Sequence, residues 1–155
     1  MSGTRKPPRN VQRIDHVVFI VRPEHADEAA ARFEEVLGIT FTDRFEPEGV
    51  GIRVYIDWGS GVEVVTPIDP TVAKEYAEYL DTHGEGLFRL VFGVADLEAT
   101  LERVQGLGVE VHARYDVLSQ RPEWKSIFNR LDESIIDPIY GGRLNLAQVE
   151  PRDDD

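Results

Sequence analysis

The stretch HGEGLFRLVFGVAD, residues 83–96, reads as a turn, a buried strand and the start of a helix. Gly84 and Gly86 punctuate the turn, LFRLVFGV is apolar at nearly every position, and Asp96 is of the type that caps a helix. Arg89 stands in the middle of that strand. A buried guanidinium without a partner is costly, so something must hold it. The segment RLVFGV (89–94) also echoes HVVFIV (16–21), which places Arg89 where the earlier copy has His16.

The echo extends outward. After the strand IDHVVFIV (14–21), EHADEAAARFEEVLG carries Ala26, Ala29, Ala30, Phe33, Val36 and Leu37 at helical spacing and stops at Gly38. Three strand-like runs follow, ITFTDRF, GVGIRVYIDW and GVEVVTP, separated by glycines and Pro47. After residue 89 the order repeats. A second helix carries Leu97, Leu101 and Val104, LGVEV echoes LGITF, and the later strands are ESIIDP and GRLNLAQVE. The expected fold is α+β, with two βαβββ modules at 13–68 and 86–150. DPTVAKEYAEYL belongs to a linking helix over 69–83, with Asp69 as its cap and Pro70 at its first position. Residues 1–12 read as a disordered arm and 151–155 as an acidic tail.

Composition narrows the function. A chain of 155 residues, 41% of them hydrophobic, can bury one proper core. Seventeen basic against twenty-nine acidic residues leave a net charge of −12, which argues against a nucleic-acid or anionic-membrane partner. Without cysteine there is no disulfide, thiolate metal site or cysteine nucleophile. No apolar run approaches the ~20 residues of a membrane span, and no signal-peptide core follows Met1, so a cytoplasmic location is expected.

Two such modules, with DHVVFIV near the start, GVEVVTP closing the first and GEGL opening the second, resemble the vicinal oxygen chelate superfamily. That superfamily includes glyoxalases, methylmalonyl-CoA epimerases, extradiol dioxygenases and bleomycin-resistance proteins. The segment 79–111 is most similar to the epimerase-like branch. The resemblance spans about residues 12 to 150 and implies a curved mixed sheet around a central pocket, and a homodimer. It also implies four metal-ligand positions, one per strand: His, Glu or Gln, His, Glu. They fall on His16, Glu63, Arg89 and Asn145. A guanidinium has no lone pair to donate and repels a cation, so no metal cofactor is expected. A weak divalent site on His16 and Glu63, with the Asn145 carbonyl, remains the alternative.

Strand alternation adds neighbours. If His16 faces the concave side, so do Val18 and Ile20, and in the second copy Arg89, Val91 and Gly93. On GVGIRVYIDW, the apolar Ile52, Val54, Ile56 and Trp58 are expected beneath helices, which turns Arg53, Tyr55 and Asp57 toward the pocket. Arg143 shares a face with Asn145. The expected substrate-binding set is therefore Arg53, Tyr55, Asn145 and Arg143, joined by Trp124 and Phe128. Each has a structural alternative: His16 bonding Glu63 or Asn145, Arg89 pairing with Glu63, and Arg53, Tyr55 and Arg143 at a solvated rim.

The second ligand pair is nine residues further apart than the first, which places an insertion in DVLSQRPEWKSIFNRLDE. There Trp124, Ile127, Phe128 and Leu131 recur at helical spacing. A short amphipathic helix is expected, acting as a lid with Trp124 and Phe128 at the pocket mouth, or packing on the sheet or on a partner copy.

These readings point to a small-molecule enzyme of isomerase, epimerase or lyase type. Its ligand would be a small anionic carbonyl or carboxylate metabolite. Glu63 is the base, His16 its orienting or relaying group, and Arg89 the stabiliser of the oxyanion. A protein that only sequesters an aromatic or anionic ligand, as bleomycin-resistance proteins do, is the second reading, and a metal-dependent epimerase the third.

Overall fold

Alternating apolar residues from Arg13 onward form the first strand, and the order of elements that follows is the expected one. The structure is a computed structural model that describes residues 9–153. Its elements are β1 (Arg13–Ile20), α1 (Ala26–Leu37), β2 (Asp43–Phe45), β3 (Ile52–Asp57), β4 (Val62–Pro67) and α2 (Lys74–His83). The second copy comprises β5 (Gly86–Gly93), α3 (Leu97–Gly106), β6 (Val111–Asp116), α4 (Val117–Gln120), β7 (Phe128–Ile136) and β8 (Leu144–Pro151). The chain divides into two units, residues 17–88, and residues 9–16 with 89–153. The fold is α+β.

In the first unit the strand order is β2-β3-β4-β1, with β1 and β4 parallel and the other pairs antiparallel. In the second it is β5-β8-β7-β6, with β5 and β8 parallel and the rest antiparallel. The repeat reaches the pattern of burial, which is identical along the eight residues of β1 and of β5. His16 and Arg89 are each the fourth residue of the first strand in their module. Glu63 and Asn145 are each the second residue of the last.

Helices α1 and α3 each cover one face of a sheet. Ala26 and Ala30 of α1 pack with Tyr55, Val62, Val64 and Phe41, and Phe33 meets Phe19 with ring centroids 4.8 Å apart. Leu97 and Leu101 of α3 pack with Val94, Ile136 and Leu146. Asp96 caps α3 as expected, accepting the Ala99 N–H at 3.0 Å, and Gly38 ends α1 in the left-handed conformation.

Several boundaries differ from expectation. Asp69 caps an isolated turn, accepting from Thr71 N and Oγ1, and α2 begins five residues later at Lys74. Residues 1–8 of the expected arm, and 154–155 of the tail, lie outside the described residues. Residues 9–12, expected in the arm, belong to the second unit. The Gln12 N–H donates to the Gly93 carbonyl at 2.8 Å, and Asn10 is buried. ITFTDRF forms a strand only over its last three residues, and Pro151 belongs to β8 rather than to the tail.

In the first unit, the start of α1 is tied to the segment before β5. Glu85 accepts the Arg22 N–H at 2.9 Å and pairs with His25 Nδ1 at 3.0 Å. The Arg22 N–H and then His25 hold the Glu85 carboxyl below its ordinary range, and Glu85 raises His25. A raised histidine contributes fully below the ordinary imidazole pKa and loses its contribution as pH rises through the raised value. A lowered carboxylate contributes above its ordinary pKa and loses its contribution as pH falls through the lowered value. His25→Ala should therefore lower the denaturation midpoint most near about pH 5.5, between the two ordinary ranges, and progressively less toward pH 8.

Candidate functional site

The four positions assigned by the family resemblance do not behave alike. In the second unit, β5 and β8 run parallel with Val91 beside Asn145, so Arg89 lies two residues back on the same face. That face is turned away from α3, whose partners Leu144 and Leu146 occupy the opposite parity. Arg89 reaches along it and donates from Nη1 to Asn145 Oδ1 at 2.7 Å. Both residues are buried, at 7% and 5% exposure, so this bond answers the cost of placing the guanidinium in an apolar strand.

Asn145 is also bonded on its other side. Its Nδ2 donates to Glu133 Oε1 at 2.8 Å. On the antiparallel β7–β8 ladder, Ile135 is opposite Asn145 and Glu133 is opposite Ala147, so Glu133 and Asn145 are diagonal neighbours on one face. Sequence reading missed Glu133. The available signal was its place at the head of ESIIDP, but only the register puts it beside Asn145.

His16 is buried as well, and its Nδ1 lies 2.7 Å from Asp15 Oδ2, with both side chains almost wholly out of solvent. Asn10 Nδ2 donates to the other Asp15 oxygen at 3.3 Å. A carboxylate facing Nδ1 keeps the proton of the neutral ring there, and Nε2 then carries the lone pair. Asp15 and Asn10 were not anticipated. Alternation assigns residues 15 and 16 to opposite faces of β1, which hid a bond between adjacent side chains.

Glu63 lies in the first unit, opposite Ile56 on β3 and beside Val18 on β1. Those partners share its face, which is turned away from α1, since Val62 and Val64 pack under the helix. The other face of β3 is a correction. Tyr55, expected in the pocket with Arg53, is wholly buried in the cluster beneath α1. Its hydroxyl donates to Asp27 on α1 at 2.7 Å. Burial first, then the Asp27 bond, push its phenol above the ordinary range. Arg53 sits at the rim of a shallow cleft with Glu46, Arg44 and Asp27, and gives Nε and Nη2 to Glu46 Oε1 at 3.0 and 2.9 Å. Hydrogen bonds to Tyr55 and to Glu46 raise its pKa further. Alternation paired these residues correctly but assigned the helix to the wrong side. Tyr55→Phe should destabilise the fold by about 1.5 kcal/mol in chemical denaturation, the low end of what a hydrogen bond to a charged group contributes.

Arg143 precedes β8, where its carbonyl accepts the Leu90 N–H at 3.0 Å. The insertion contains no amphipathic helix. A single turn, α4, is followed by a 3-10 turn over Pro122–Ser126, and Phe128 and Leu131 belong to β7. Trp124 and Phe128 are buried, edge to face with centroids 6.4 Å apart, so they pack as core rather than as a mobile lid.

The four family positions make a poor ligand set. Arg89 offers no lone pair, and its Nη1 faces the one Asn145 atom that could ligate an ion. Elsewhere, Glu110, His112 and Asp137 gather near the sheet edge, where His112 Nε2 and Asp137 Oδ1 are hydrogen-bonded at 2.6 Å. Among the described residues, no helix is long and apolar enough to cross a membrane.

A family model described as a glyoxalase-like domain matches residues 14–138. No curated protein matches the chain. Among solved structures, it is similar to methylmalonyl-CoA epimerase from Mycobacterium tuberculosis, at 24% identity and TM-score 0.64, covering 99% of this chain and 94% of that one. It is also similar to a Streptomyces coelicolor methylmalonyl-CoA epimerase variant in complex with 2-nitronate-propionyl-CoA, at 19% identity and TM-score 0.64, covering 90% and 98%. A hypothetical protein from Bacillus halodurans aligns at 13% identity and TM-score 0.69, covering 92% and 97%. These likenesses establish the fold.

Proposed function

The chain belongs to the glyoxalase-like domain family, and from that premise we propose that it is a metal-independent isomerase of the epimerase type. Its substrate class is a small anionic carbonyl compound, and an acyl thioester bearing a carboxylate suits the reading best. The observation that carries it is the buried bond from Arg89 to Asn145, residues that the family resemblance sets at two metal-ligand positions.

The chemistry follows from what an epimerisation next to a carbonyl demands. A base removes the proton from the carbon, the electron pair moves onto the carbonyl oxygen, and a proton then returns to the opposite face. The barrier falls when preorganised donors meet the oxygen as it becomes negative. In this reading Arg89 supplies that charge, a guanidinium that stays protonated and is aimed by Asn145. The resemblance supplies Glu63 as the base. His16, its ring oriented by Asp15, is suited to passing a proton through Nε2. The thioester is favoured because the Streptomyces coelicolor epimerase binds 2-nitronate-propionyl-CoA and another epimerase structure holds methylmalonyl-CoA.

The test is exchange of the substrate α-proton in D2O, followed by NMR, with methylmalonyl-CoA and related acyl-CoA thioesters and with EDTA present throughout. The expected result is deuterium incorporation at a rate that added Co2+ or Mn2+ does not raise. Exchange that appears only when metal is restored would contradict the reading. Tight stoichiometric binding without exchange would favour the sequestering alternative.

A further inference from the structure

Glu133 of the second unit is bonded to Asn145 but takes no direct part in the proposed reaction. It stands on β7, one strand beyond Asn145, and accepts Asn145 Nδ2 at 2.8 Å while Asn145 Oδ1 accepts Arg89 Nη1 at 2.7 Å. Three strands, β5, β8 and β7, thus contribute one side chain each to a continuous chain of hydrogen bonds across one sheet face.

The order of the groups matters. An amide has a donor end and an acceptor end, and only one orientation serves both neighbours. A carboxylate accepts only and a guanidinium donates only, so Asn145 must turn Nδ2 to Glu133 and Oδ1 to Arg89. With Glu133 in place, the flipped amide would set its oxygen against a carboxylate and its N–H2 against a cation. Each bond also polarises the next, since the anion draws on Nδ2–H and enriches the oxygen that holds the cation. Without Glu133, Asn145 loses one of the two groups that set its orientation, and its Oδ1 is held less firmly toward Arg89.

We infer that Glu133 is a positioning residue, which acts through Asn145 to hold the Arg89 guanidinium in the orientation that turnover requires. This rests on the epimerase-type reading for its catalytic consequence but not for its structural one. Two variants separate length and acceptor from charge. Glu133→Gln keeps an oxygen that Nδ2 can reach, whereas Glu133→Leu keeps bulk and removes the acceptor.

The experiment pairs two readouts on the full chain. The first is the set of Arg89 side-chain N–H signals in 15N NMR, assigned by their loss in Arg89→Lys, which need no substrate. The second is α-proton exchange with methylmalonyl-CoA, read as kcat and KM, with thermal unfolding as a check on folding. In Glu133→Leu the Arg89 signals should broaden or shift, and kcat should fall about tenfold or more with KM changed less than threefold. Glu133→Gln should recover most of both. Unchanged Arg89 signals in a folded Glu133→Leu protein would overturn the inference. So would a kcat loss that Glu133→Gln fails to recover. Altered Arg89 signals, in a protein whose wild type exchanges no α-proton, would sink the epimerase reading and leave the positioning role standing.

Discussion

Arg89→Met should lower the rate of α-proton exchange by about 10²-fold or more, while the protein remains folded. Removing one preorganised donor from a developing oxyanion costs that much where it has been measured, because a water-excluded site offers no substitute. Methionine fills a similar volume with a flexible apolar chain and is tolerated in a buried strand. The substitution leaves Asn145 Oδ1 without its partner at a buried position, a cost of about 1–3 kcal/mol. Exchange kinetics and chemical denaturation on the same sample separate the two effects. Wild-type exchange in a folded Arg89→Met protein would remove Arg89 from the mechanism.

The second large effect is on the fold. Gly93 ends β5 where the segment from residue 10 crosses it, and a Cβ there would come within 2.0 Å of the Asn10 carbonyl oxygen. The atom in the way is backbone, itself anchored through the Gln12 N–H to the Gly93 carbonyl and through Asn10 Nδ2 to Asp15. Gly93→Ala should cost about 3 kcal/mol in chemical denaturation, the upper part of the range for overpacking a tight interior. The same displacement would loosen Asp15, the partner of His16, so activity should fall more than stability alone explains. A midpoint within experimental error of wild type would show that the Asn10 segment does not press on β5 in solution.

Much of this architecture is legible in the residues. The pairing of His16 with Arg89 follows from the echo of HVVFIV in RLVFGV, and that of Glu63 with Asn145 from the family resemblance. The structure gives each pair the same strand position, and sets Glu63 beside Val18 and Asn145 beside Val91, two residues on from His16 and Arg89 respectively. Asp96 could be assigned because a cap is a local device, set by its own residue and the three that follow. What escaped depends on long-range packing. Alternation on β3 separates Tyr55 from Ile56 but does not say which of them α1 will cover. An amphipathic tyrosine with Asp27 in reach fits beneath the helix as well as an isoleucine does.

The insertion misled for a different reason. Phe128 and Leu131 are three residues apart and both buried, which in isolation is a helical spacing. In β7 a register shift between Phe128 and Arg130 adds the extra residue, so a bulged strand reproduces that spacing. Glu133 and Asp15 share one lesson. The side chains that orient a buried polar group come from register, or from adjacent residues, and carry no motif of their own. The four positions that the family resemblance assigns carry the central proposal, that a guanidinium stands at a position the resemblance gives to a metal ligand.

The most direct test is elemental analysis of tag-free protein purified from medium supplied with zinc, manganese, cobalt and nickel. An internally bonded Arg89–Asn145 pair predicts far less than one equivalent of any transition metal per chain, with α-proton exchange retained. Close to one equivalent of a single metal, lost together with activity on chelation, would contradict it.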